Sequence, residues 1–198
     1  MRLRRAIWAI ACTLLLAGCL PVTSKTPVGT TTGLGADDAL YGTWKGYGEP
    51  EHVLSYIHFL PKKGEGIGAV LVNPKSDSDD GSVGLFLLRT SKLGANSFIN
   101  VVKIYNGMEE NDSSWGELND ASVPMLYKFG KNHTLTLYLL DEDKAKEAIQ
   151  AGKLSGAVES GNFGDVKITS DAAALDAFMA TPEAAKLFKV FLVLKKAE

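Results

Sequence analysis

From Leu40 onward the chain is cut into short apolar runs by glycine, asparagine and proline. In the clearest run, His52 to Leu60, Val53, Ser55, Ile57 and Phe59 fall on one face and Leu54, Tyr56, His58 and Leu60 on the other. Side chains of an extended strand point alternately to opposite faces, so this pattern demands a sheet. Further runs read the same way: Leu40 to Tyr47, Gly66 to Val72, Val83 to Arg89, Ser97 to Tyr105, Met125 to Phe129, Thr134 to Leu140, Lys153 to Val158, Asp165 to Ile168 and Phe188 to Lys195. In the last run Phe188, Val190, Leu192 and Leu194 are expected on one face. Gly130-Lys131-Asn132-His133 predicts a hairpin turn.

Helical signals come late. Asp141 can cap a helix whose first turn holds Glu142 and Asp143 and which ends at Gly152. Ser170-Asp171 opens an alanine-rich helix to Met179, and Thr181-Pro182-Glu183 opens a third. About ten strands and three short helices in the C-terminal half predict a mainly β or α+β fold, an antiparallel barrel or sandwich. Val83 to Leu88 is apolar on both faces, so a helix is expected outside it, with Ala173 to Met179 the candidate.

The start of the chain differs in kind. Arg2, Arg4 and Arg5 precede an apolar stretch from Ala6 to Ala17, broken only by Thr13, and then Gly18-Cys19. That is the anatomy of a secretory signal peptide. Its length of 12 residues falls short of the roughly 20 a spanning helix needs. Leu16-Ala17-Gly18-Cys19 resembles the lipobox of bacterial lipoproteins. The resemblance implies cleavage before Cys19 and acylation of that residue, each buried methylene adding about 0.8 kcal/mol of anchoring. Leu20 follows, where aspartate would imply retention in the inner membrane. By the same resemblance the chain is expected at the outer membrane of a double-membraned host, facing the periplasm.

Three segments are thus expected: a signal peptide at 1–18, a lipidated Cys19 with a flexible tether at 19–38, and one β-rich domain at 39–198. The tether reading rests on the Thr, Gly and Pro content of Leu20 to Asp38, which would reach roughly 25 Å. Of 198 residues, 180 remain after cleavage, and three arginines go with the leader, moving the formal charge from −2 to −5. An acidic body argues against nucleic acid as a partner. Cys12 leaves with the leader and Cys19 is occupied, so no intrachain disulfide is expected.

Gly42-Thr43-Trp44 at the head of the β-rich region resembles the opening motif of lipocalin and calycin barrels. In that family the tryptophan closes the barrel floor. The resemblance extends over about five residues; the family's later Asp-Tyr pair is missing, as is an evident arginine to pack over Trp44. It implies an apolar or lipid ligand, with Trp44, Tyr56 and Phe86 as candidate contacts.

Catalytic signals are missing. His52 and His58 lie about 20 Å apart along one strand, and no ligand spacing for zinc occurs, so no metal or other cofactor is expected. Asp77-Ser78-Asp79-Asp80-Gly81 has the composition of a calcium loop, but Ser82 and Leu88 stand where the EF-hand needs glycine and glutamate. There is no nucleophile elbow, no Ser-x-x-Lys set and no phosphate loop. The expected role is a membrane-anchored binding protein rather than an enzyme. The alternatives are an envelope protein that contacts a partner protein through its surface loops, and a hydrolase inhibitor; Trp115, in a long polar loop, either plugs down onto the body or anchors such a contact.

Overall fold

A computed structural model describes residues 21–48, 54–74, 81–105, 115–117, 121–158 and 166–197. The signal segment, Cys19, His52 and the acidic run 75–80 lie outside the described residues. Among the described residues twelve strands are present: β1 Thr23–Ser24, β2 Gly42–Gly48, β3 Leu54–Lys62, β4 Gly66–Asn73, β5 Ser82–Leu93, β6 Asn96–Tyr105, β7 Trp115–Glu117, β8 Val123–Gly130, β9 Thr134–Leu140, β10 Gly156–Val158, β11 Val166–Ile168 and β12 Phe188–Lys196. The ten expected strands are all there, β1 and β7 being the additions. The same residues hold two α-helices, α1 Glu142–Gln150 and α2 Ala172–Met179. The third expected helix is only a 3₁₀ turn, Ala184–Leu187, with Thr181 Oγ1 accepting from the Ala184 amide at 3.3 Å.

Eight strands close into an antiparallel barrel in the order β5-β4-β3-β2-β12-β9-β8-β6, with β6 pairing back to β5. Closure removes the sheet edges that a sandwich of this length would leave unpaired. Turn chemistry explains the hairpins. Asn132 and His133 take φ of 57° and 54°, the left-handed pair needed between β8 and β9. Gly66, at φ 125°, passes so near Leu88 O that a side-chain carbon would sit 2.3 Å from it. Gly46 lets β2 approach β12, where a methyl would lie 1.9 Å from Val193 O.

Alternation sends Ser55, Ile57 and Phe59 inward as expected, but two bulges shift it elsewhere. On β6 Val101 pairs with Leu88 and Lys103 with Leu87, which leaves Val102 as an extra residue. On β12 Leu192 pairs with Leu137 and Val190 with Tyr138, which leaves Phe191 extra. An extra residue reverses which face the following side chains occupy. Phe188 therefore faces outward into a second core, Leu192 and Leu194 face the barrel interior, and Val190 is exposed, correcting the single-face expectation for this strand.

The second core lies outside the β6-β8-β9 wall. Phe98, Leu126 and Leu140 pack there against Leu175 and Met179 of α2, Ala145 and Ala148 of α1, and Val166 and Ile168 of β11. Helix α2 thus covers the β5–β6 hairpin end and β6, with Asn96 Nδ2 donating to Met179 O at 3.1 Å. It does not cover the Val83 end of β5, where Val83 is 45% exposed.

The segment expected as a tether is packed instead. Val22 and Val28 are buried in the second core. Thr23–Ser24 runs parallel to β11, and Ser24 exchanges backbone bonds with Ser122, both at 2.8 Å. The buried Asp176 carboxylate accepts from the Gly29 amide at 2.6 Å, the Thr31 amide at 2.8 Å and Thr31 Oγ1 at 2.6 Å. Asn100 Oδ1 accepts from the Val28 amide at 2.7 Å, while its Nδ2 donates to Val28 O at 2.9 Å. The polar composition of this segment supplies backbone partners for the outer wall, which is why it reads as a linker but does not behave as one.

Candidate functional site

The barrel interior has two storeys. At one end the β3–β4, β5–β6 and β8–β9 hairpins turn, and the 3₁₀ turn Asp38–Leu40 lies here. Leu40, Trp44, Phe59, Ile67, Leu135 and Leu194 are all at most 2% exposed and fill this closed end. Trp44 Nε1 donates to Leu40 O at 2.7 Å, tying the 3₁₀ turn to the wall. The Lys196 ammonium lies 5.3 Å from the Trp44 ring centroid, and Phe129 packs at 6.0 Å. A cation over the indole face is attracted by its π density. Lys196 therefore supplies the cation over Trp44 for which the sequence offered no evident arginine.

Above this layer lies a cavity of about 280 Å³. Its walls carry Ile57 from β3, Leu71 from β4, Phe86 and Leu88 from β5, Ile99, Val101 and Ile104 from β6, Met125 from β8, Leu137 and Leu139 from β9, and Phe191 from β12. Every lining side chain is apolar. The volume lies just below the about 300–1,000 Å³ typical of small-molecule sites, room for a slender chain rather than a bulky ring system. Leu71, Phe86, Ile104, Leu139 and Phe191 are only partly buried, and they lie toward the strand ends opposite Trp44. Among the described residues, that end is the mouth. Pro21 completes the lining there.

The structure distributes the sequence-predicted residues unevenly. Phe86 lines the cavity. Trp44 is buried in the closed end below it. Tyr56 stands on the outer face of β3, beneath the Lys45 ammonium at 5.6 Å, and is not part of the lining, because its strand partners Ser55 and Ile57 take the inward positions. Trp115 begins β7, its backbone paired with Tyr105, and its side chain lies outside the described residues. Ile104 and Phe191 were not among the sequence candidates. Strict alternation assigns them outward, and only the bulges turn them in. Phe191, the residue left over in the Val190–Leu192 register step, carries no local signal that marks it.

Polar chemistry is sparse elsewhere. His58 Nδ1 lies 2.9 Å from Thr43 Oγ1 on the outer wall. A trough of about 730 Å³ lies between residues 33–39 and strands β5, β6 and β8, with mixed lining that includes Asp37, Lys92 and Lys128. Tyr127 donates to Asp37 Oδ2 at 2.6 Å beside it. Burial first, and then this carboxylate, hold the Tyr127 hydroxyl well above the ordinary phenol range, so it is a proton donor and not a base. Among the described residues no three metal-ligating side chains cluster, and no helix is long and apolar enough to cross a membrane. No family model matches the chain, and no curated protein or solved structure matches it at a significant level.

Proposed function

We propose that this chain is a lipid-anchored binding protein of the cell envelope that holds an apolar molecule, such as a lipid acyl chain, inside its barrel. One observation carries the reading: a cavity of about 280 Å³ lined by apolar side chains alone, open at one end of a closed barrel. Such a lining offers shape and dehydration but no hydrogen bond, so it favours a ligand by the apolar area it buries, about 25 cal/mol per Å². The lipobox-like Leu16 to Cys19 supports anchoring through Cys19, and Leu20 supports the outer membrane.

The test is titration of the full chain with a fluorescent fatty acid. Leu139→Trp places a large ring at the partly open mouth, where it fills the cavity with little strain. Binding is expected to weaken at least about tenfold, or 1.4 kcal/mol, while far-UV circular dichroism stays unchanged. Undiminished binding by a folded Leu139→Trp chain overturns the assignment of the cavity.

A further inference from the structure

The residue proposed for attachment, Cys19, stands two positions in the chain before the cavity mouth. Pro21 lines the mouth. Cys19 precedes it by two residues, so its Cα lies within about 7 Å of that of Pro21. No slack follows Pro21: Val22 and Val28 are buried, Ser24 is bonded to Ser122, and Lys25 donates its amide to Ile168 O at 2.9 Å. Gly29 and Thr31 are held by Asp176. A flexible tether would let the barrel take any orientation above a bilayer, whereas a packed one does not. The closed end, with Trp44 and the β8–β9 hairpin, lies about 25 Å from the mouth along strands such as the eight-residue β4.

We infer that the barrel sits mouth-down on the membrane, so that its apolar cavity opens onto the lipid surface and takes an acyl chain directly from the bilayer. This rests on the anchoring of Cys19 proposed above. The occupant is a membrane lipid tail, because a cavity that opens at the anchor lets the tail pass from one apolar medium to another without crossing water, which costs about 0.8 kcal/mol per exposed methylene.

The orientation is readable by depth-dependent quenching. The acylated chain carries no free thiol once Cys19 is modified, so Val83→Cys near the mouth and Lys131→Cys in the closed-end hairpin each take one fluorophore. In phosphatidylglycerol–phosphatidylcholine vesicles containing brominated lipid, the label at position 83 is expected to be quenched at least about threefold more than that at 131, given their roughly 25 Å separation. A ten-residue Gly-Ser insertion between Leu20 and Pro21 should keep acylation and erase the difference. Equal quenching at both sites on an acylated, vesicle-bound chain overturns the orientation alone. Absence of acyl mass on Cys19, or unchanged vesicle binding after Cys19→Ser, overturns the anchor reading and the orientation with it.

Discussion

At the residue scale, Asp176 and Tyr127 hold the N-terminal segment to the body. Asp176 is 5% exposed and accepts three hydrogen bonds from Gly29 and Thr31. Asp176→Ala leaves both amides without their acceptor and is expected to cost about 2–3 kcal/mol in urea unfolding. Limited proteolysis should then cut near residues 27–33. Tyr127 gives a pH signature. Its raised hydroxyl pKa means that the folded protein keeps a proton the unfolded chain loses near pH 10. The unfolded state then binds fewer protons than the native state, so this contribution is whole below about pH 10 and falls as pH rises further. Tyr127→Phe should lose about 1 kcal/mol at neutral pH and flatten the alkaline fall in stability. An alkaline limb as steep as that of the parent protein would remove Tyr127 as its cause.

At the element scale, the seam between β2 and β12 closes the barrel. Trp44 pairs with Lys196 and Gly46 with Leu194, joining the first and last barrel strands. Gly46→Ala would push a methyl into the Val193 carbonyl, a contact that only backbone movement relieves. The expected outcome is loss of the cooperative thermal transition, or a midpoint lower by about 2–4 °C per kcal/mol of strain, the scaling for a domain of this length. The helices are locally specified. Asp141 accepts from the Lys144 amide at 3.2 Å and Asp171 from the Ala174 amide at 2.8 Å, the caps expected of those residues. Burial would raise the Asp141 pKa, but the Lys144 amide and the Lys189 and Lys144 charges outweigh it and lower it. Its cap is therefore intact above the ordinary carboxylate range and lost as pH falls below it.

At the scale of the whole molecule, two cores share one wall. Ile99, Val101 and Met125 face the cavity while Phe98 and Leu126 of the same strands face the helices. Damage to the outer core should therefore be felt as loss of the entire fold. Leu175→Ala, at a fully buried outer-core position, is expected to cost about 2–5 kcal/mol. Circular dichroism and fatty-acid binding should be lost together in one urea transition. Retention of the barrel signal after the helices melt would show two independent units.

Much was legible before any fold was known, because it depends on near neighbours in the chain. The period-two runs, the Asn132-His133 turn and the Asp141 and Asp171 caps are set by backbone geometry within a few residues. The leader and the lipobox-like motif are local as well. Ring closure, the cavity and the docking of residues 21–35 are of another kind. They depend on pairings such as Trp44 with Lys196 and on bonds such as Gly29 to Asp176, between residues far apart in the chain. A polar, threonine-rich stretch has no apolar period to betray that it will be bonded to a distant carboxylate. A bulge leaves no local mark either: it is defined by the partner strand, so Ile104 and Phe191 could be placed in the cavity only once β5 and β9 were set beside them.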